Sequence, residues 1–144
     1  MNELPVAVIG GGPVGLAAAA QLLKRGAEPI VLEAGPTVGA GVLEWGHVRI
    51  FSPWKYDIDP AARELLATTG WTEPDGEGYP TGRELVDGYL APLGRALGER
   101  VRLGHRVTAV ARLGFDKMTT DGRDAAPFAL TVATPRGEEQ LLAR

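Results

Sequence analysis

Three glycines near the start of the chain are spaced for binding a phosphate. Gly10, Gly12 and Gly15 match the pattern G-x-G-x-x-G. In that pattern the first glycine permits a tight turn, the second lets a pyrophosphate approach the backbone and the third lets a helix pack against a strand. Glu33 follows by about 20 residues, where a carboxylate accepts hydrogen bonds from ribose hydroxyls. Because an acid there disfavours a 2′-phosphate, we expect this site to exclude NADP.

The hydropathy pattern predicts the elements that position these residues. Residues 4–9 are almost wholly apolar and predict a strand buried on both faces of a parallel sheet. Residues 13–25 predict a helix, because the segment opens on a proline, is rich in alanine and is followed by a glycine. Residues 30–32 predict a second strand. Together they form a strand–helix–strand unit over residues 4–33.

Residues 36–98 predict an insertion after the second strand. It begins with an aromatic, glycine-rich loop and continues with a short helix that Asp59 caps and that runs to about Thr69. Thr81 and Glu84 have capping-box spacing and predict the start of a second helix. We interpret the apolar stripe of this second helix as core; its members are Leu85, Tyr89, Leu93 and Leu97.

Residues 101–143 predict a third strand and a β-meander. The strands are expected at residues 101–103, 107–113, 127–134 and 138–144, joined by turns rich in Gly, Asp and Pro. The fold class is therefore α/β, a partial Rossmann-type dinucleotide-binding domain over residues 1–144. Helices are inserted after its second strand and a β-meander follows its third.

The composition excludes several classes of protein. Hydrophobic residues make up 44% of the 144 residues, which fits an ordinary globular domain, and the net charge of −3 offers no basic surface for nucleic acid. The absence of cysteine excludes disulfides, thiolate metal sites and redox dithiols, and it suits a cytoplasmic location. Residues 4–23 are uncharged, but three consecutive glycines, Pro13 and the preceding Glu3 argue against a membrane span or a signal peptide.

Several segments together resemble a known group of flavoproteins. The stretch VAVIGGGPVGLAAAAQLLKRGAEPIVLEAGPTVGA resembles the N-terminal FAD-binding segment of flavoproteins with two dinucleotide-binding domains. HVRIFSPW, YPTGRELVDGYLAPLG and RVTAV then follow in the order seen in flavin-containing-monooxygenase-like and thioredoxin-reductase-like oxidoreductases. The resemblance covers nearly the whole chain. It implies FAD, whereas the glycine spacing alone leaves FAD and NAD open.

The resemblance also implies which residues bind this cofactor. Glu33, with the adjacent Ala34, is implied at the adenosine ribose, Val107 at the adenine through its backbone, and HVRIFSPW near the flavin. The residues implied at the pyrophosphate are Gly10, Gly12, Pro13, Val14 and Gly15.

The sequence also departs from this group of flavoproteins. A second glycine motif, which binds NADPH in such enzymes, and the monooxygenase fingerprint have no counterpart here, so the sequence resembles about the first third of such an enzyme. NAD(P)H is accordingly expected as a co-substrate only in a full-length enzyme. Two alternatives stay open: a truncated chain that binds nucleotide weakly and catalyses nothing, and a small NAD-binding module that acts as a sensor or partner.

Other reactive side chains have weaker patterns. The Arg49 guanidinium suits a phosphate or a flavin carbonyl, or else it faces solvent. His47 has no fixed partner in the sequence, and His105 has no companion at metal-ligand spacing, so no metal is expected. We interpret Asp57 and Asp59 as helix caps, and no residue is assigned as catalytic.

The aromatic residues have two interpretations. Phe51 and Trp54 either wall a flavin or substrate or pack in the core, and Trp71, at a helix end, is interpreted as core. The sequence leaves the substrate, the electron acceptor and the oligomeric state open.

Overall fold

The computed structural model describes residues 3–144. The strands are β1 (Val6–Ile9), β2 (Pro29–Glu33), β3 (Val101–Leu103), β4 (Arg106–Arg112), β5 (Phe128–Thr134) and β6 (Gly137–Ala143). The α-helices are α1 (Pro13–Lys24), α2 (Ala40–Leu43), α3 (Trp54–Asp57), α4 (Pro60–Ala67), α5 (Gly82–Leu85) and α6 (Ala91–Leu97). A π-helical segment, Val86–Leu90, joins α5 to α6.

The strands form two three-stranded sheets. The first is parallel in the order β1-β2-β3, with Val6 opposite Pro29 and Val31 opposite Val101. The second is the antiparallel meander β4-β5-β6. This is the partial Rossmann-type α/β fold that the sequence predicts, with helices inserted after β2 and the meander following β3.

Strand β2 lies between two hydrophobic cores because alternate side chains of a strand point to opposite faces. Val31 belongs to the core shared with the helices, whereas Ile30 and Leu32 pack with Leu130 of β5 and other meander residues. The chain therefore has three layers: helices, parallel sheet and meander. An almost wholly apolar β2 follows from this double burial.

Strand β1 is less buried than the sequence predicts. Residues Val6, Ala7 and Val8 are half-buried, and Ile9 is 59% exposed. The expectation of a strand buried on both faces holds only in part: Val8 packs against the helical core and Ala7 against the meander core, but β1 is an edge strand of the sheet formed by residues 3–144 and its last residue is exposed. An apolar sequence alone does not distinguish an edge strand from a central one.

Asp59 links three elements of the helical layer. Its carboxylate accepts hydrogen bonds from the N–H groups of Ala61 and Ala62, as expected of the residue that caps α4, and from the side chain of Gln21 on α1. Its own N–H donates to the Tyr89 hydroxyl, and burial raises the pKa of Tyr89. The capping prediction is confirmed for Asp59. The whole predicted apolar stripe is also buried.

A proline explains why the second predicted helix contains a π-helical segment. An α-helix would pair the Gly88 carbonyl with the N–H of residue 92, but Pro92 has no N–H and its ring clashes with the carbonyl four residues earlier. The helix widens here, and the Ala91 N–H bonds to the Val86 carbonyl. The Trp71 indole donates to the Gly88 carbonyl at 2.8 Å. Trp71 also packs against the helical core, as predicted.

Within residues 3–144, no helix is long and apolar enough to cross a lipid bilayer.

This packing predicts the cost of removing the indole N–H. Trp71→Phe should lower the free energy of unfolding by about 1–3 kcal/mol, because it leaves a partly buried carbonyl without this donor. Pro92→Ala restores a backbone N–H at residue 92, so the same Trp71→Phe change should cost less in that background. Urea denaturation of the four proteins of this double-mutant cycle measures both costs, and equal costs in the two backgrounds would contradict the explanation.

Candidate functional site

The turn between β1 and α1 brings the three predicted glycines together. Gly10 has φ +102, which favours glycine, and its N–H bonds to the Leu32 carbonyl at 2.9 Å. A Cβ placed on Gly15 would lie 1.9 Å from the Gly10 carbonyl oxygen, so α1 can approach the turn this closely only with glycine there. A Cβ on Gly12 would meet nothing within 4 Å. The turn is therefore tight at its two ends and open at its middle.

The open glycine is also the N-cap of α1. Gly12 has no side chain to cap the helix, Pro13 occupies the first turn, and that turn contains no acidic residue. The positive end of the helix dipole and the free N–H groups of a 12-residue helix are thus available to an anion. Val14 is 83% exposed beside them. Space, hydrogen-bond donors and charge all favour a phosphate at this position.

The Glu33 carboxylate is held beside the glycine turn by two backbone N–H groups. One oxygen accepts from Gly11 at 2.6 Å and the other from Gly35 at 2.7 Å. Glu33 and Ala34 are half-buried. The sequence predicted the proximity of Glu33 to the turn but assigned no part to Gly11 or Gly35. The available signals were the place of Gly11 inside the glycine motif and that of Gly35 two residues after Glu33.

The connection between β3 and β4 lies against the same end of β2. The Gly104 N–H donates to the Gly35 carbonyl at 3.0 Å, and the His105 N–H donates to the Glu33 carbonyl at 2.9 Å. Val107, two residues further on, is half-buried and packs against the core shared by β2 and the meander. A β-bulge shifts the β4 register between Val107 and Ala109. Val107 and Glu33 are thereby held near the carboxyl end of β2.

Arg49 makes its polar contacts away from the glycine turn. Its guanidinium donates to the Tyr79 carbonyl and lies 3.9 Å from the Glu84 carboxylate, and its side chain is 63% exposed. An isolated antiparallel β-bridge pairs the backbone of Arg49 with that of Thr81 and holds this part of the loop. The structure places Arg49 on the rim of a groove with a volume of about 680 Å³ that Trp54 and Tyr79 also line.

The aromatic residues of the loop have different environments. Trp54 is 8% exposed and belongs to the helical core, whereas Phe51 is 97% exposed. His47 is exposed as well. The core interpretation is therefore right for Trp54 and wrong for Phe51, which lies in the bend before α3.

Asp57 does not cap a helix, contrary to the prediction. It is the last residue of α3 and accepts a hydrogen bond from the Ser52 hydroxyl, while Asp59 alone caps α4. The error arose because both aspartates precede the same proline. Over residues 3–144, no group of three or more histidine, aspartate or glutamate side chains is placed to hold a metal ion.

Residues 5–68 match the family model described as FAD dependent oxidoreductase. Over 68 residues the chain is 38% identical to thiamine thiazole synthase from Pyrococcus horikoshii, which covers 47% of this chain and 25% of that protein. The chain thus spans about a quarter of the curated relative that it matches.

Solved structures match the whole chain. A flavin-containing monooxygenase from Stenotrophomonas maltophilia is 29% identical with a TM-score of 0.65, over 100% of this chain and 37% of that one. A bacillithiol disulfide reductase from Bacillus cereus has the same fold, with 24% identity and a TM-score of 0.71, over 99% of this chain and 38% of that one. The predicted resemblance to flavin-dependent oxidoreductases is confirmed, and the chain spans less than two fifths of these structures.

The geometry of the turn predicts different consequences for two of its glycines. Gly15→Ala should lower the free energy of unfolding by at least about 1–3 kcal/mol, since the new methyl group would overlap the Gly10 carbonyl oxygen. Gly12→Ala should change it by less than about 1 kcal/mol, because its Cβ has room and its φ of −86 suits any residue. Thermal and urea unfolding measure both effects. Equal destabilisation by the two variants would refute this assignment.

Proposed function

We propose that this chain, whose residues 5–68 match FAD-dependent oxidoreductases, is the FAD-binding portion of such an enzyme and binds the ADP part of FAD at the β1–α1 turn. The observation that supports this most is the joint placement of an open helix N-terminus at Gly12 and a backbone-held carboxylate at Glu33. In a dinucleotide a phosphate is next to a ribose. The helix N-terminus at Gly12 suits the phosphate, and the neighbouring Glu33 carboxylate suits the ribose.

The residues of the turn fit a pyrophosphate. The space over Gly12 is what a Cβ would fill, so glycine leaves room for phosphate oxygens close to the backbone. In the proposal, backbone N–H groups of the turn and of the first turn of α1 donate to those oxygens. The exposed Val14 and the ring of Pro13 shield one side from water. The Glu33 carboxylate repels a further phosphate on the ribose, so the proposal specifies an unphosphorylated adenosine.

Glu33 keeps acceptor capacity for ribose hydroxyls. Each carboxylate oxygen accepts one backbone N–H, and an ionised carboxylate has about four lone-pair sites in all. The two remaining sites suit the adjacent hydroxyls of a ribose. Ala34 lies beside Glu33, and Val107 is proposed to meet the adenine through its backbone. The β3–β4 connection is hydrogen-bonded to the end of β2, which supports placing the ribose at Glu33 and the adenine at Val107 as parts of one nucleotide.

The flavin end of the cofactor is proposed to lie toward the loop that contains Arg49. A guanidinium can donate to a flavin carbonyl, and the bond to Tyr79 leaves other N–H groups of Arg49 free for this. The exposed Phe51 on the same loop offers an apolar surface to a ring system. The polar contacts of Arg49 with residues 79–84 hold its side chain on this loop.

In the whole enzyme, the flavin would supply electron transfer between a nicotinamide donor and oxygen or a substrate. The chain's own residues bind and orient the cofactor, and none is proposed as catalytic. Monooxygenase-like chemistry with NAD(P)H is proposed only for a full-length protein, because the similar solved structures are more than twice as long as this chain. A cytoplasmic location and the absence of nucleic-acid partners also stay proposals, supported by the lack of cysteine and the acidic charge.

The proposal predicts that the purified chain binds FAD. Adding FAD and removing the excess by gel filtration should leave a folded yellow protein with flavin absorption bands. A folded, colourless protein that takes up only NAD would contradict the proposal and support a small NAD-binding module instead.

Removing the Glu33 carboxylate should weaken that binding. Glu33→Ala deletes the proposed acceptor of the ribose hydroxyls and should reduce the free energy of FAD binding by about 1–3 kcal/mol, measured by quenching of flavin fluorescence. Glu138→Ala, which removes an exposed carboxylate of β6, is the matched control and should leave the affinity unchanged. If Glu33→Ala bound FAD as tightly as this control, Glu33 would have no part in the site.

A further inference from the structure

We propose that His105 is a positioning residue that sets the selectivity of the Glu33 site for the ribose hydroxyls of a nucleotide. The inference rests on the proposed function, since it concerns the same adenosine site. His105 itself need not touch the ligand. It acts through the main chain of Glu33 and through the turn that joins β3 to β4.

The first observation is the main-chain contact between the two residues. The parallel pairing of β2 with β3 ends with Glu33 opposite Leu103. Beyond that point the His105 N–H donates to the Glu33 carbonyl at 2.9 Å, and the Gly104 N–H donates to the Gly35 carbonyl at 3.0 Å. Two hydrogen bonds therefore continue past the ends of the strands and fix the backbone of the residues that surround the carboxylate.

The second observation is how the imidazole ring holds the turn. Gly104 has φ +67, and the His105 Nδ1 lies 2.8 Å from the Leu103 carbonyl oxygen, to which it donates. On the other edge of the ring, Nε2 lies 3.5 Å from a carboxylate oxygen of Glu139 on β6, and the two form an ion pair when the imidazole is protonated. The side chain is 18% exposed. The ring thus holds the end of β3 and, when it is protonated, also pairs with the third strand of the meander, which keeps the turn against β2.

Imidazole suits this task because its two nitrogens lie on opposite edges of a small rigid ring. One nitrogen reaches a carbonyl two residues earlier while the other faces a carboxylate on a different strand. An asparagine side chain supplies the first contact only. A turn that lacks the ring can move away from β2, and the two main-chain bonds would weaken with it.

The Glu33 side chain packs closely against the glycine turn, so a small displacement of its backbone would change its contacts with that turn. A Cβ placed on Gly11 would lie 3.1 Å from the Glu33 Cβ and 3.2 Å from its nearer carboxylate oxygen. Glu33 thus fits closely against the glycine turn on one side and is fixed by the His105 N–H on the other. Displacing its backbone moves the carboxylate off the Gly11 N–H and away from the position where hydroxyls would bind.

Nucleotides that lack the ribose hydroxyls test this positioning role. The wild-type chain should bind ADP about tenfold more tightly than 2′,3′-dideoxy-ADP in titrations followed by NMR chemical shifts. His105→Ala should reduce that ratio to about threefold or less, while the affinity for 2′,3′-dideoxy-ADP, which depends on the phosphates, changes little. A variant that merely destabilised the fold would weaken both ligands together and keep the ratio.

Two further variants, His105→Asn and Glu139→Ala, test the two contacts of the ring separately. His105→Asn keeps a donor for the Leu103 carbonyl and should give a ratio between those of wild type and His105→Ala, and it replaces His105→Ala if the latter does not fold. At acidic pH, where an imidazole is protonated, Glu139→Ala removes the partner of the outer edge of the ring and should also lower the ratio, while Glu138→Ala next to it should leave the ratio unchanged. A ratio that stays near tenfold in the histidine variants and in Glu139→Ala overturns the inference.

Failure of the proposed function has a different signature. If the wild-type chain binds neither ADP nor its dideoxy analogue, or binds both equally, Glu33 does not recognise ribose and the proposed adenosine site is wrong. If wild type discriminates between the two and the His105 variants discriminate equally well, the site is right and the positioning role of His105 is wrong.

Discussion

The two hydrogen bonds to the Glu33 carboxylate are the interaction on which the candidate site depends. They join the glycine turn, through Gly11, to the segment that leaves β2, through Gly35. A half-buried carboxylate is costly without such donors, and backbone N–H groups satisfy it without supplying a counter-charge. The carboxylate therefore lies close to the positive end of α1, and the proposed phosphate and ribose positions rest on this pair.

The fold keeps this pair in register by burying β2 on both faces. Val31 packs in the helical core, and Ile30 and Leu32 pack against the meander, so the strand that ends in Glu33 cannot tilt without disturbing both layers. Gly15 fixes the other partner, because it lets α1 lie against the Gly10 carbonyl. Packing on both sides of the sheet thus sets where β2 ends relative to the turn.

The sequence predicted those parts of the site that local spacing determines. The glycines, the following helix and the acid at the end of β2 form one short unit, and all lie where their spacing implied. Tertiary context decided the rest. Ile9 is exposed at the end of an edge strand, the π-helical segment arises from Pro92 within an otherwise regular apolar stripe, and four-residue helices such as α2 are too short to have a periodicity. The contacts of Arg49 with residues 79–84 likewise depend on how a long loop folds back.

We propose that this chain recognises the adenosine and pyrophosphate of FAD. The affinities of the wild-type chain for FAD and for FMN can be compared to check this recognition, because FMN has the same flavin but lacks the adenosine and one phosphate. We expect FAD to bind at least about tenfold more tightly than FMN and ADP to compete with FAD. Equal affinities for FAD and FMN, with no competition from ADP, would contradict it.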